Sequence, residues 1–201
     1  MDILVNKLFK KYDTKWIIKD FSYNFDSGKS YGISGANGSG KSTLLSLLFG
    51  AIPPTKGQIE YLKNNLKLQA SDLSTSFTFA APYMSLYEFL TLSELLEFHT
   101  KFKKWIEGID TRSFVEYCYL KEFLNVQICN YSSGMKQRLK LALAVLSDSD
   151  IIFLDEPSSY LDNKAKTWLY KMLEELKLNR TLIIASNEES DFKIIDFRIE
   201  I

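Results

Sequence analysis

Cysteine is nearly absent from this 201-residue chain: Cys118 and Cys129 are the two, without C-x-x-C spacing. Their scarcity argues against a disulfide framework or a cysteine-rich zinc site, and their place in a helical region predicts a pair of buried thiols. Histidine is scarcer still. His99 stands alone, at helical spacing behind Leu92, Leu95 and Leu96, which reads as an ordinary helix-face residue. Neither charge is in excess, because 25 Lys and Arg offset 25 Asp and Glu; the bulk attraction that nucleic-acid binders use is missing, and no nucleic-acid partner is expected. Long apolar runs are missing too. The best one, from Leu139 to Leu154, is broken by Lys140 and by Ser147-Asp148-Ser149-Asp150, so it falls short of the roughly 20 apolar residues that a bilayer span requires. The first ten residues carry Asp2 and no apolar signal core, so secretion is not expected. No internal repeat or low-complexity tract is present. With 46% hydrophobic and 25% charged residues, the chain has material for one substantial core.

The first segment alternates as antiparallel strands do, through Ile3-Leu4-Val5, Trp16-Ile17-Ile18 and Asp20 to Phe25, with a turn at Asp26-Ser27-Gly28. A strand at Tyr31-Gly32-Ile33-Ser34 follows, then a helical run from Leu44 to Phe49, a Gly50 and Pro53-Pro54 connection, and another strand near Gln58 to Leu62. From about Leu86 to Leu146 the periodicity becomes helical, which predicts a helical insertion. Ile151-Ile152-Phe153-Leu154 and Leu182-Ile183-Ile184-Ala185 then return as short continuous apolar runs, flanking a helix from about Asn163 to Leu178. Strands buried on both faces of a parallel sheet read this way. The expected class is therefore α/β.

Gly35-Ala36-Asn37-Gly38-Ser39-Gly40-Lys41-Ser42-Thr43 lies between a strand and a helix, the context in which G-x-x-x-x-G-K-S-T forms a phosphate-binding loop. Its glycines let the backbone curl so that N–H groups point inward at a helix start, where anions are favoured. Lys41 is then placed to reach the outer phosphates of a nucleoside triphosphate, and Ser42 to ligate magnesium. Asp155 and Glu156 end the buried strand Ile151 to Leu154, at the carboxyl edge where ligands collect in open α/β sheets. Asp155 is the second candidate metal ligand. Glu156 is the candidate to orient the attacking water or accept its proton.

The phosphate loop, then Ser132-Ser133-Gly134-Met135-Lys136-Gln137-Arg138-Leu139, then Leu154-Asp155-Glu156-Pro157-Ser158-Ser159-Tyr160-Leu161-Asp162, together resemble an ATP-binding cassette (ABC) ATPase over essentially the whole chain. The resemblance implies a P-loop NTPase core of RecA-like layers, at about residues 1–83 and 147–201, with an N-terminal antiparallel β subdomain and an inserted helical subdomain at about 84–146, all in a single ABC ATPase domain over 1–201. It also implies ATP and Mg2+ bound between two cassettes, as homodimer or heterodimer, attached through separate transmembrane subunits to the cytoplasmic face of a membrane. Tyr12 resembles the aromatic that stacks on adenine, with Trp16 as a second candidate. Ser132, Ser133 and Gly134 resemble the signature loop that completes the partner's ATP site, although alone they read as an ordinary helix cap. Asp162 resembles the aspartate that carries contacts across the dimer.

Three positions depart from the pattern. The signature commonly reads Leu-Ser-Gly-Gly-Gln, where this chain has Tyr131-Ser132-Ser133-Gly134-Met135. The glutamine between core and helical subdomain is missing around Ala80-Ala81-Pro82-Tyr83, with Pro82 at its position by alignment. The switch histidine is replaced by Asn187, which can hydrogen-bond a phosphate but cannot carry a proton. With Lys41, Asp155 and Glu156 retained, the expected function is an ATP-hydrolysing transporter subunit, with the three departures pointing to slow turnover; the compact, tail-less form is similar to haem-exporter cassettes. The alternative is an ATP-dependent dimerisation switch with little hydrolysis.

Overall fold

The computed structural model describes residues 1–176 and 180–201, with the side chains of residues 70 and 71 left aside. The alternating first segment forms two 11-residue strands, β1 (Asp2–Tyr12) and β2 (Lys15–Phe25), paired antiparallel through several register shifts. With β4 (Lys56–Lys63) and β5 (Leu66–Lys67) they make a four-stranded sheet in the order β2-β1-β4-β5. The second sheet has five strands. It runs β6-β7-β8-β3-β9, built from β3 (Ser30–Ser34), β6 (Phe77–Ala80), β7 (Ile151–Asp155), β8 (Thr181–Ala185) and β9 (Phe197–Glu200), all parallel.

Every residue of β3, β7 and β8 is buried, which is why those segments lack polar alternation. Successive side chains still point to opposite faces, and the two faces have different partners. Ile151, Phe153, Ile183 and Ala185 pack with α1 (Lys41–Phe49) and with Ile3, Val5 and Leu8 of the antiparallel sheet. Ile152, Leu154, Leu182 and Ile184 face α3 (Leu92–Thr100), α4 (Thr111–Tyr117), α5 (Ser133–Leu146) and α6 (Asn163–Leu176). Two structured segments carried no clear sequence signal, α2 (Ala70–Ser76) and the four-residue edge strand β6. The expected end of α6 at Leu178 lies outside the described residues.

The cysteine expectation needs correction. Cys118 is buried in the helical cluster, whereas Cys129 is exposed. Ile128 takes the inward position of the short 3-10 turn Ile128–Asn130, so its neighbour is turned to solvent and no thiol pair exists. His99 is a packing residue, as its spacing suggested. Its ring stacks on Trp105 at 4.9 Å, and its Nε2 lies 2.7 Å from Ser147 Oγ, whose own proton goes to the Leu143 carbonyl.

Burial, reinforced by the positive charge of Lys103, lowers the His99 pKa to about 4. An unfolded histidine titrates near 6.5, so between about pH 6.5 and pH 4 the unfolded chain binds more protons and stability falls as the pH is lowered. We expect His99→Gln to flatten this slope. Urea midpoints of both proteins at pH 7 and pH 5 measure it, and an equal decrease in both would remove His99 from the account.

Candidate functional site

The strand order brings the site together. β3, β8 and β7 are neighbours, with Ile33 opposite Ala185 and Asp155 opposite Ala185, and β6 lies beside β7 with Ala80 opposite Leu154. Four parallel strands therefore deliver their carboxyl ends side by side. From them issue the loop of residues 35–40, the pair Asp155-Glu156, the pair Ser186-Asn187, and Ala81-Pro82-Tyr83.

Gly40 starts α1 at φ 115°, a left-handed value that side-chain-bearing residues avoid. A Cβ there would also fall 2.8 Å from Ile17 Cγ2, so glycine is required on both counts. The loop leads directly into the amino end of α1, the geometry that favours an anion. A cavity of about 370 Å³ opens beside it, lined by Tyr12, Ile17, Asn37, Gly38, Gly40, Lys41, Ser42, Thr43 and Glu156. Tyr12 contributes an exposed ring to that cavity, with the Lys10 ammonium 5.1 Å from its centroid. Trp16 is engaged elsewhere, edge-on to Phe9 at 5.9 Å. Gly35, Ala36 and Ser39 complete the loop.

Lys41 is buried, and its Nζ donates to the Gly35 carbonyl at 2.9 Å and the Ala36 carbonyl at 3.3 Å, 3.8 Å from Glu156 Oε1. Glu156 does not continue the strand's alternation. Its φ of 43° turns it out of β7, a conformation that costs energy for a non-glycine residue and tends to mark function. Its Oε2 lies 3.3 Å from Ser186 Oγ and 3.5 Å from the Asn187 amide. Burial raises its carboxyl above the ordinary glutamate range, opposed by the Asn187 amide and Lys41, so the group is more basic than a free carboxylate.

Asp155 is 1% exposed. One oxygen, Oδ2, accepts from the Tyr83 hydroxyl at 3.0 Å, while Oδ1 is buried without a partner. Burial raises its pKa too, with the Ser42 hydroxyl and Tyr83 opposing. A buried oxygen left unsatisfied beside a serine hydroxyl suits a hard divalent cation. The loop's Ser39 Oγ is likewise buried and unpartnered. The donor set therefore fits magnesium and phosphate.

Asn187 is exposed, and its Nδ2 donates to Asn37 Oδ1 at 2.9 Å, joining the phosphate loop to the end of β8. Ser132 Oγ accepts from the Met135 amide at 3.2 Å and caps α5. Ser132, Ser133 and Gly134 do not line the cavity of their own chain. Asp162 caps the start of α6, its Oδ1 accepting from the Ala165 amide at 2.8 Å. Two further features had no readable signal. Pro82, aligned with the missing glutamine, turns its carbonyl to Lys140 Nζ at 2.6 Å, and it is Tyr83 that reaches Asp155. Behind Glu156, the fully buried Asp191 accepts hydrogen bonds from Ser158 at 2.9 Å, Tyr170 at 2.8 Å and Ser186 at 2.6 Å. It ties the turn after β7 to the end of β8.

Comparison with known proteins gives one consistent family. The family pattern described as "ABC transporter" matches residues 18–159. The chain is 33% identical over 200 residues to an uncharacterised ABC transporter ATP-binding protein of Bacillus subtilis (strain 168), YybJ, covering 98% of this chain and 91% of that one. It is 30% identical to the teichoic acids export ATP-binding protein TagH of Listeria innocua, covering 94% of this chain but 57% of TagH. Its fold is similar to the dimeric, post-hydrolysis structure of the ATP-binding cassette MJ0796 bound to ADP and Pi, with a TM-score of 0.85 and 22% identity, covering 99% of this chain and 94% of that one.

Proposed function

Because the chain belongs to the ABC transporter family, whose cassettes bind and hydrolyse ATP, we propose that it is the ATPase subunit of a transporter and works as a closing pair of cassettes on separate membrane subunits. The observation that carries this reading is the convergence of Lys41, Ser42, Glu156 and the phosphate loop on one cavity, with the buried Asp155 next to Ser42 and Lys41 behind its wall. Magnesium, held by Ser42 and Asp155, would neutralise charge on the outer phosphates. Phosphoryl transfer needs mainly positioning and electrostatic stabilisation, and the chain supplies both.

The loop amides of Gly38 to Thr43 hold the phosphates at the start of α1, and Tyr12 offers its ring to the base. Lys41 exchanges the Gly35 and Ala36 carbonyls for the outer phosphate oxygens. Glu156, held by Ser186 and the Asn187 amide, orients the attacking water and takes its proton. Asn187 contributes a hydrogen bond without a proton to exchange. Ser132, Ser133 and Gly134 stand outside their own cavity and complete the partner's site from the amino end of α5, with Asp162 beside the shared boundary.

The membrane subunits find a surface on the helical side. Phe89, Tyr87, Phe98 and Phe102 form a chain of exposed rings with centroids 6.2, 5.4 and 5.0 Å apart. An exposed aromatic row of this kind suits a protein interface. Among the described residues no helix is long and apolar enough to cross a membrane, consistent with attachment through a partner.

The test is steady-state ATP hydrolysis across protein concentration. Two cassettes sharing each site should give a rate that rises more steeply than linearly until dimers saturate. A strictly proportional rate would support catalysis by single chains. Tight ATP binding without turnover at any concentration would favour the dimerisation switch, or an asymmetric pair that needs a different cassette.

A further inference from the structure

We propose that the cavity between α5 and α6 is a binding site for a small, flat aromatic carboxylate, gripped by Arg138. The cavity measures about 440 Å³ and runs from Asp162, before the start of α6, to Lys171, with Tyr119 and Trp168 as its aromatic walls. A second cavity of about 300 Å³ shares Tyr119, Trp168 and Lys171. Both fall within the size range of small-molecule pockets, roughly 300–1,000 Å³. None of these residues lines the phosphate-loop cavity, so the inference stands apart from the ATPase reading.

Arg138, on α5, selects the ligand. Its guanidinium lies 5.8 Å from the ring centroid of Tyr119 and 5.7 Å from that of Trp168, so two rings and a cation meet in one place, a setting that accepts a further flat group. Nη1 donates to the Cys118 carbonyl at 3.3 Å, whereas Nε is buried without a partner. Among the described residues no carboxylate pairs with Arg138, and Nη2 has no acceptor. The Nε and Nη2 hydrogens form the edge that takes a carboxylate through two parallel bonds. A desolvated donor left unpaired is a cost to the empty protein, and a bound carboxylate removes it. Tyr119 is the wall that turns aside to admit the ligand: its ring is 68% exposed, and its φ of 54° is a value that bulky residues seldom hold away from functional segments.

The charges set the ligand's direction. In the larger cavity Arg138 and Lys164 face one acid, Asp162, which already accepts from the Ala165 amide. Glu116 and Glu175 line the second cavity, where Glu175 answers Lys171 at 3.7 Å. The carboxylate therefore belongs at Arg138 and Lys164, with the ring held between Tyr119 and Trp168. The same place joins three helices, because Arg138 holds the Cys118 carbonyl just after α4, and Trp168 Nε1 on α6 donates to the Tyr117 carbonyl at 2.8 Å. An occupant touching all three braces them, and binding only to the folded chain raises its melting temperature.

The experiment titrates the full chain with β-naphthoate and with its uncharged analogue β-naphthamide, followed by calorimetry and by the indole N–H resonances, that of Trp168 being assigned through Trp168→Phe. We expect naphthoate to bind with a dissociation constant of about 1 mM or below, the scale for a ligand of its size, moving the Trp168 resonance and leaving that of Trp16 in place. The amide should bind at least about 10-fold more weakly, and Arg138→Gln should cost naphthoate a similar factor, that of a hydrogen bond to a charged group. Arg138 also holds the Cys118 carbonyl, so a second variant is needed. Lys164→Gln, an exposed change, should weaken naphthoate about 2- to 5-fold and leave the amide unaffected. No saturable binding by the parent, equal affinity for acid and amide, or unchanged naphthoate affinity in both variants would overturn the proposal. So would a Trp168 resonance that stays still while naphthoate binds, as it would if the probe entered the phosphate-loop cavity.

Discussion

Glu156→Gln is expected to bind ATP as the parent does and to lose turnover by at least about 100-fold, the range over which a positioned general base acts. Glutamine matches glutamate in length and can keep the contacts to Ser186 and the Asn187 amide, so the geometry of the turn should survive. What disappears is the capacity to take a proton. The direction of the Glu156 carboxyl makes this a sharp test, because burial raises its proton affinity and its contact with Lys41 is a loose 3.8 Å. The substitution leaves the buried Lys41 without its carboxylate neighbour, and removing one partner of a pair destabilises, but at 3.8 Å the contact is loose, so a melting temperature equal to or slightly below the parent's should accompany the lost activity. ATP should then hold the two cassettes together, seen as a dimer by size exclusion with ATP and magnesium. Equal turnover in Glu156→Gln and parent would falsify the base role and direct attention to Asp191 or Asn187 as the group that orients water.

Much of the α/β core was legible because its signals are local. Ile151 to Leu154 and Leu182 to Ala185 are continuous apolar runs closed by polar residues, and the phosphate loop's glycines mark where the backbone takes values such as φ 115° at Gly40. The site's cooperative parts were not local. Asp191 looks like any acidic residue in a loop, and its burial follows from Ser158, Tyr170 and Ser186 arriving from three separate elements. Tyr83 was passed over because alignment placed Pro82 where a glutamine was expected, while the hydrogen bond to Asp155 depends on the turn after β6, a four-residue strand too short to show in periodicity. Glu156 follows Asp155 directly in the sequence, and nothing there marks the left-handed backbone that ends the strand's alternation at Asp155. Cys129 was misplaced because a 3-10 turn does not follow the 3.6-residue period assumed for its helical region.

Lys41→Ala should lower ATP affinity by at least about 100-fold, equivalent to about 2.7 kcal/mol, which is the scale of a charged hydrogen bond lost in a confined site. The resting structure explains why the loss should be so concentrated. The ammonium already sits within the curl of the loop, satisfied by the carbonyls of Gly35 and Ala36, and its side chain is buried at the start of α1. Binding therefore asks it to exchange two neutral acceptors for a phosphate rather than to become ordered from solvent, so little entropy is lost when the stronger contact forms. Truncation also leaves those carbonyls and Glu156 without their cation, so a lower melting temperature is expected in the absence of nucleotide. Lys41→Met separates the effects, because it restores the buried methylenes and omits only the charge. If Lys41→Met melts near the parent yet binds ATP as poorly as Lys41→Ala, the ammonium acts on the phosphates; if either variant binds ATP as the parent does, the loop of residues 35–43 is not the phosphate site and the arrangement of Asp155 and Glu156 must be read without it.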